Sequence, residues 1–282
     1  MIWAVAICLA ASPLRLESEW ARPSQLPFDR THAIVGSGPG DYTIGGLRGL
    51  YQGRPGDWRQ IDDRPVKQIV QIDDAKWVLF GDGSVDKIDY RTNRLVFDVM
   101  AGRLKRPWVA SLSADRTGLL CGGSGGWAEL GSKSLELYPK DLEGQVVTAI
   151  SRTGGTVWVG TQRKGLFAFS GGNSKRFGFA AGLPDSWVTA LRPTSEGLVV
   201  SVADGGLVRF AEGRLQPLAS PTGKPRLLIQ YRNRLVVGGM DGCWIQDRRS
   251  WQQLSNEETT CLSVLGGRLA VGTPRRLAWW NL

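Results

Sequence analysis

Histidine, the residue type used most often in acid–base catalysis, occurs once in this 282-residue chain, as His32. A Ser/His/Asp triad would therefore have to use His32. The residue falls just before the first predicted strand, where a loop histidine is the simpler interpretation. We therefore predict no catalytic residue and a protein that is not an enzyme.

The cysteines do not indicate a metal site. The four thiols, Cys8, Cys121, Cys243 and Cys261, form no Cys-x-x-Cys pair. Without such a pair a zinc knuckle is not indicated, and a single histidine excludes a His-rich metal site. We expect buried free thiols and predict neither a metal nor any other cofactor.

Three Asp-Gly pairs recur at equivalent places, at Asp82-Gly83, Asp204-Gly205 and Asp241-Gly242. One interpretation is a ring of carboxylates that binds a cation or acts as acid and base, which would make the protein a lyase or hydrolase. The other is structural, because Asp-Gly is a preferred two-residue hairpin turn. The structural interpretation is favoured and the enzymatic one stays as an alternative.

Positive charge is the stronger functional signal. The chain has 35 Lys and Arg residues against 26 Asp and Glu residues, a net charge of +9, which attracts anions. Arginine grips carboxylate or phosphate with two donors, and tryptophan stacks on sugars or cations. The predicted ligand-binding residues are Arg103, Lys105, Arg106, Trp108, Arg163, Lys164, Trp187, Arg275 and Arg276. The alternative is ordinary solvated loops, with Trp108 and Trp187 packed between structural units.

An internal repeat must position these residues. Seven copies of about 38 residues each contain an apolar strand, a tight turn, a second apolar strand, a Gly-containing turn and a third strand. The copies align on Val35, Val70, Leu112, Ile150, Leu191, Leu228 and Leu262. Ten positions further on stand Gly45, Phe80, Gly122, Gly160, Ser201, Gly238 and Gly272. Five of these seven are glycine, against an average usage of about 7%.

The repeat predicts an all-β fold, a single seven-bladed β-propeller of four-stranded antiparallel blades over 13–282. More polar outer strands are predicted at 57–61, 94–99, 134–138, 175–179, 214–218 and 251–255. The seventh copy has no outer strand of its own. We expect 14–21 to supply it beside 277–282, which would remove the open edge of the ring. One short helical turn is expected within 99–108.

The first residues, 1–12, form a possible signal segment. Residues 2–11 are apolar and end in small side chains, a length that suits the apolar region of a secretory signal but is too short to span a bilayer. No Lys or Arg precedes them. Export to the periplasm or the extracellular space is favoured, and a cytoplasmic location follows if the segment is retained.

The sequence GLPDSWVTAL at 182–191 and GTVWVGTQRKGLF at 155–167 make the repeat more specific. They resemble the two-component regulator propeller repeat, with weaker copies at 233–239 and 266–273. Propellers of that family often form periplasmic sensor domains ahead of a membrane helix and a histidine kinase. This chain ends at Leu282 without either, so the resemblance implies only the seven-bladed fold and binding of a ligand or partner.

Together these features predict a non-enzymatic, sensor-like binding propeller that presents one basic loop face. The expected partner is a protein, an acidic glycan or another small anionic ligand. We expect no specific nucleic-acid binding, no membrane span and a monomer. A cytoplasmic assembly scaffold is the remaining alternative.

Overall fold

The computed structural model describes residues 14–21, 24–38, 40–89, 94–96, 109–115, 117–130, 135–138, 141–248 and 250–281. These residues form seven antiparallel sheets of four strands each, the blades of a β-propeller, as the repeat predicts. The predicted signal segment 1–12 and the predicted helical turn within 99–108 lie outside the described residues. In the described part of the chain, no helix has the length and apolar character needed to cross a membrane.

The first four blades follow one another along the chain. Blade 1 contains β2 (Thr31–Gly38), β3 (Asp41–Gly46), β4 (Gly49–Arg54) and β5 (Asp57–Asp62). Blade 2 contains β6 (Val66–Ile72), β7 (Ala75–Phe80), β8 (Val85–Asp89) and β9 (Arg94–Val96). Blade 3 contains β10 (Val109–Asp115), β11 (Gly118–Gly123), β12 (Gly126–Leu130) and β13 (Leu135–Tyr138). Blade 4 contains β14 (Val147–Thr153), β15 (Thr156–Thr161), β16 (Leu166–Ser170) and β17 (Asn173–Phe177).

The last three blades complete the ring. Blade 5 follows a short 3₁₀ turn (Phe179–Ala181) and contains β18 (Val188–Thr194), β19 (Gly197–Val202), β20 (Leu207–Ala211) and β21 (Arg214–Leu218). Blade 6 contains β22 (Pro225–Tyr231), β23 (Arg234–Gly239), β24 (Gly242–Asp247) and β25 (Ser250–Ser255). Blade 7 contains β26 (Cys261–Leu265), β27 (Arg268–Gly272), β28 (Arg276–Asn281) and, from the start of the chain, β1 (Arg15–Ala21).

Burial explains the strand composition. In β15 the consecutive residues Val157, Trp158 and Val159 are all buried, because neighbouring blades cover both faces of the second strand. The outer strand β17 is mostly exposed. The three described thiols, Cys121, Cys243 and Cys261, are free and buried, as expected. Burial raises the pKa of each to about 12, so none is a reactive thiolate at neutral pH.

The strand register corrects the alignment of the first two repeats. In blades 3 to 7 each anchor pairs directly with the apolar residue nine positions later, as Ile150 does with Val159. In blade 2 the pair is Ile69 and Val78, one residue before the predicted Val70 and Leu79. A strand covered on both faces is apolar at every position, so its sequence does not reveal which residues face which side.

In blades 1, 3 and 4 a glycine near the end of the second strand lets the next blade approach. A Cβ added to Gly160 of blade 4 would lie 2.4 Å from Cγ1 of Val188, the first residue of blade 5. The same relation holds for Gly45 with Val66 (2.4 Å) and for Gly122 with Val147 (2.2 Å). These glycines are therefore required by packing between blades and not only by the turn that follows them.

The predicted ring closure is confirmed. β1 pairs antiparallel with β28, and Trp20 lies opposite Leu277. The Trp20 ring is 4.7 Å from that of Trp279 and 5.0 Å from that of Tyr42 in blade 1. Strand β1 therefore fastens the seventh blade to the first by both hydrogen bonds and aromatic packing.

We predict that Gly160→Ala lowers the free energy of unfolding by about 1 to 3 kcal/mol, because the new methyl group would overlap Val188 of the next blade. Gly223→Ala is the matched control, since a Cβ there meets nothing within 4 Å. Urea unfolding followed by circular dichroism gives both values. Equal stability of the two variants would contradict the packing role of Gly160.

A second prediction concerns the closing strand. Trp20→Ala should cost about 3 to 5 kcal/mol of stability, because it removes a buried ring from the joint between the last and first blades. Leu16→Ala on the same strand removes a side chain that is 46% exposed and should change stability little. Differential scanning calorimetry would show a large drop in Tm for the first variant only. Similar losses for both would mean that β1 contributes through its backbone alone.

Candidate functional site

One face of the propeller carries both sets of loops in which the predicted binding residues lie. The turns between second and third strands are hydrogen-bonded to the connections that enter the next blade. The amide of Gly165 donates to the carbonyl of Ser186 (2.9 Å), and the amide of Gly205 donates to the carbonyl of Gly223 (3.1 Å). We call this side the connection face, defined by the turns at 46–49, 80–85, 123–126, 161–166, 202–207, 239–242 and 272–276 and the described parts of the interblade connections.

The predicted binding residues of blades 4 and 5 lie close together on the connection face. Arg163 and Lys164 occupy the turn between β15 and β16, and the Gly165–Ser186 hydrogen bond joins this turn to the segment that carries Trp187. Thr161 Oγ1 accepts a hydrogen bond from the amide of Lys164 (2.9 Å), and Arg176 Nε donates one to the carbonyl of Lys164 (2.8 Å). The turn is therefore held from both sides.

Their side chains are available to a partner. Arg163 is exposed and makes no hydrogen bond or ion pair within the described part of the chain. The side chain of Trp187 is 43% exposed, so it is not fully packed between blades. Asp185 fixes the backbone of Trp187, because Asp185 Oδ1 accepts a hydrogen bond from the amide of Trp187 (3.1 Å). Its other oxygen, Oδ2, accepts one from the amide of Asp204 (3.0 Å).

The predicted residues of blade 7 form a separate group. Arg275 is exposed, but Arg276 contacts Glu257 Oε1 and lies 3.5 Å from Glu19 Oε2. The hydrogen bond to Glu257, together with the charges of both carboxylates, raises the pKa of Arg276 above its ordinary value. Arg276 is thus already neutralised by its neighbours. Blades 5 and 6 separate this pair from Arg163. Arg103, Lys105, Arg106 and Trp108 lie outside the described residues.

The sequence analysis missed an apolar component of the same face. Leu47, Phe179, Trp187 and Met240 are among the few exposed large hydrophobic side chains in the described part of the chain, and all four lie in its turns and connections. Phe179 is the most exposed at 68%. It was expected to end an outer strand, but that strand stops at Phe177 and Phe179 begins the 3₁₀ turn. Such residues are hard to identify from the sequence, because an apolar residue directly after a strand looks like a further residue of that strand.

The Asp-Gly pairs follow the structural interpretation. Asp82 Oδ1 accepts the amide and hydroxyl of Ser84 (2.9 and 2.6 Å), and Asp241 accepts the hydroxyl of Thr222 at both oxygens (2.9 Å). Burial alone would raise the pKa of Asp82, but the Ser84 hydrogen bonds and the charge of Arg64 outweigh it and lower the pKa. Within the described residues, no group of three His, Cys, Asp or Glu side chains is placed to hold a metal ion.

A Gly-x-Ser-x-Gly spacing occurs at 122–126 but does not form a nucleophile elbow. That motif needs a strand followed by a sharp turn and a helix. Here Ser124 lies in the hairpin turn between the adjacent strands β11 and β12. The glycines serve packing, since a Cβ on Gly122 would lie 2.2 Å from Val147 of the next blade.

His32 lies within strand β2, so its expected position in a loop is corrected. The pairing of β2 with β3 is irregular between Thr31 and Ala33, which places His32 at a bulge. Its Nδ1 is 2.9 Å from the carbonyl oxygen of Val66 in blade 2. A carbonyl can only accept, so Nδ1 carries the proton and the ring joins two blades. The imidazole also lines the central cavity described next.

The seven first strands surround a central cavity of about 850 Å³. Its charged lining residues are Lys67, Asp73, Arg192 and Arg226. His32 and Lys67 lie at the connection-face ends of their strands, and Asp73 lies in the turn between β6 and β7 on the opposite side. The cavity is therefore mainly cationic along its walls.

Comparison with solved structures gives the same fold at low sequence identity. The chain superposes with a TM-score of 0.76 and 13% identity on the extracellular domain of a protein described as a hybrid two component system from B. thetaiotaomicron, covering 90% of this chain and 40% of that one. A second B. thetaiotaomicron extracellular domain, described as that of a one component system, gives 0.75 and 16%, covering 94% and 40%.

The fold also occurs far from bacterial sensors. A chain of the mitotic checkpoint complex matches with a TM-score of 0.75 and 13% identity, over 100% of this chain and 99% of that one. No family model matches the sequence, and no curated protein matches it either. The chain thus spans about 40% of the length of the two sensor domains and has the architecture of the propellers that its repeat resembles.

Proposed function

We propose that this propeller is a non-enzymatic binding protein whose connection face engages an acidic ligand or the acidic surface of a partner protein. The observation that carries the proposal is the group formed by exposed Arg163, half-buried Lys164 and exposed Trp187, which lie on hydrogen-bonded loops at the boundary of blades 4 and 5. The cations supply attraction to anions, and the indole supplies a flat surface for stacking.

Exposed Phe179 belongs to the connection between the same two blades. Interfaces combine apolar and aromatic anchors with a polar rim, and Arg and Trp are frequent among residues that contribute most to affinity. A face that presents Phe179 and Trp187 beside Arg163 has both components. This mixture favours a macromolecular partner over a metal ion.

We also propose that the protein works outside the cytoplasm. The apolar residues 2–11 support export, and the extracellular setting of the two sensor domains of the same fold agrees with it. The mass of the protein recovered from its native cells tests this point. Loss of the apolar segment supports export, and an intact Met1 on all of the protein would contradict it.

For the binding face, we predict that the double variant Arg163→Ala/Lys164→Ala weakens binding to an acidic polymer by about tenfold at low salt, because two charge-assisted contacts are lost. Polyglutamate and polygalacturonate, measured by biolayer interferometry, represent an acidic peptide and an acidic glycan. The difference should shrink as salt is raised, since exposed charges are screened.

The matched control is Arg214→Ala/Arg248→Ala, which removes the same number of positive charges. Both arginines are exposed beside turns between third and fourth strands, on the side opposite the connection face. The control changes the net charge without changing the proposed site. Equal loss of binding in this control and in Arg163→Ala/Lys164→Ala would indicate attraction to overall charge and would overturn the assignment of the face.

A further inference from the structure

The central cavity forms a second possible site, distinct from the connection face. Its volume of about 850 Å³ lies within the range of cavities that bind small molecules. Seven first strands surround it, each with one unpaired edge, so backbone donors and acceptors face the space together with the side chains. Such a wall can bind a polar ligand, and its charges decide which kind.

The charges favour an anion. Arg192 lines the cavity from blade 5 and Arg226 from the neighbouring blade 6. His32 of blade 1 and Lys67 of blade 2 line the opposite side of the ring. Among the described lining residues Asp73 is the one carboxylate, and it lies at the end away from the connection face. Arg192 lies toward that same end, on the other side of the ring.

Arg192 is unusual among the half-buried arginines that the structure describes. Six of them have a carboxylate partner: Arg30 with Glu258, Arg64 with Asp62 and Asp86, Arg152 with Asp115 and Glu129, Arg209 with Glu196, Arg234 with Asp247, and Arg268 with Glu17. Arg192 has none, and its Nε is buried without a hydrogen-bond acceptor.

A half-buried cation without a counter-charge costs stability, because desolvation disfavours its charged form. This burial lowers the pKa of Arg192 below its ordinary value. Among the described residues its guanidinium has no hydrogen-bond acceptor, and Arg192 lines a space large enough for a small molecule. A carboxylate or phosphate group in the cavity would supply the acceptors that the protein lacks at this position.

We propose that the central cavity binds a small anionic molecule carrying carboxylate or phosphate groups, held by Arg192 and Arg226. Lys67 adds positive charge from the opposite wall. Thr189 braces this side of the site, because its hydroxyl donates to the carbonyl of Pro225 (2.8 Å) and so ties the strand of Arg192 to that of Arg226.

Citrate and inorganic phosphate are suitable probes of the two anion types, measured by thermal unfolding and titration calorimetry. We expect at least one of them to raise the Tm of the full chain. Arg226→Gln alters an exposed residue and should leave folding intact while weakening that binding by about tenfold. Arg192→Met should abolish the rise in Tm.

Arg192→Met has a second readout that needs no ligand. Replacing an uncompensated half-buried cation by an apolar side chain of similar length should raise the Tm of the free protein by about 2 to 4 °C. A structural role for the charge predicts a lower Tm instead. A lower Tm for Arg192→Met, or citrate and phosphate titrations that both leave the wild-type Tm unchanged at tens of millimolar, would overturn the proposal.

Arg163→Ala/Lys164→Ala separates this site from the connection face. The double variant should bind citrate or phosphate as tightly as the wild type, because its altered side chains lie outside the cavity lining. Conversely, Arg192→Met should retain affinity for polyglutamate, which is too large for the cavity. Loss of citrate and phosphate binding in Arg163→Ala/Lys164→Ala would place the anions on the connection face and would contradict the cavity site.

Discussion

The close approach of neighbouring blades at one small residue is the constraint on which this propeller depends. The residue near the end of the second strand has no room for a side chain, because the first residue of the next blade lies against it, as Val188 does against Gly160. The contact recurs with Gly45 and Gly122. Each such glycine fixes where the next blade begins, and this determines both the central cavity and the position of the loops on the connection face.

A β-bulge lies directly beside this contact between blades. In blades 1 to 6 the pairing of the first two strands is irregular one residue after the start of the first strand, where the first residue packs against the preceding blade. The extra residue turns its side chain toward the next blade. Thr189 donates to the carbonyl of Pro225 and His32 to that of Val66. The one histidine therefore has a structural partner, which explains its place in a strand.

The sequence predicted the features that the repeat imposes and missed those that occur once. Ring closure could be deduced because the seventh copy lacked an outer strand and 14–21 lacked a partner. The one-residue shift at Ile69 could not, since continuous apolar strands carry no alternation. Phe179 was missed because it follows a strand directly, and the isolation of Arg192 because only the three-dimensional structure shows which arginines have a carboxylate nearby.

Residues that the blades do not need are the best guide to function in such a fold. The same architecture occurs in bacterial extracellular domains and in the mitotic checkpoint complex at 13% identity, so the fold by itself does not select an activity. Gly160, Trp20 and His32 are explained by packing and closure. Arg163 and Trp187 are exposed, and Arg192 is half-buried without a carboxylate partner among the described residues. An unpaired cation that folding does not require is best explained by a bound anion.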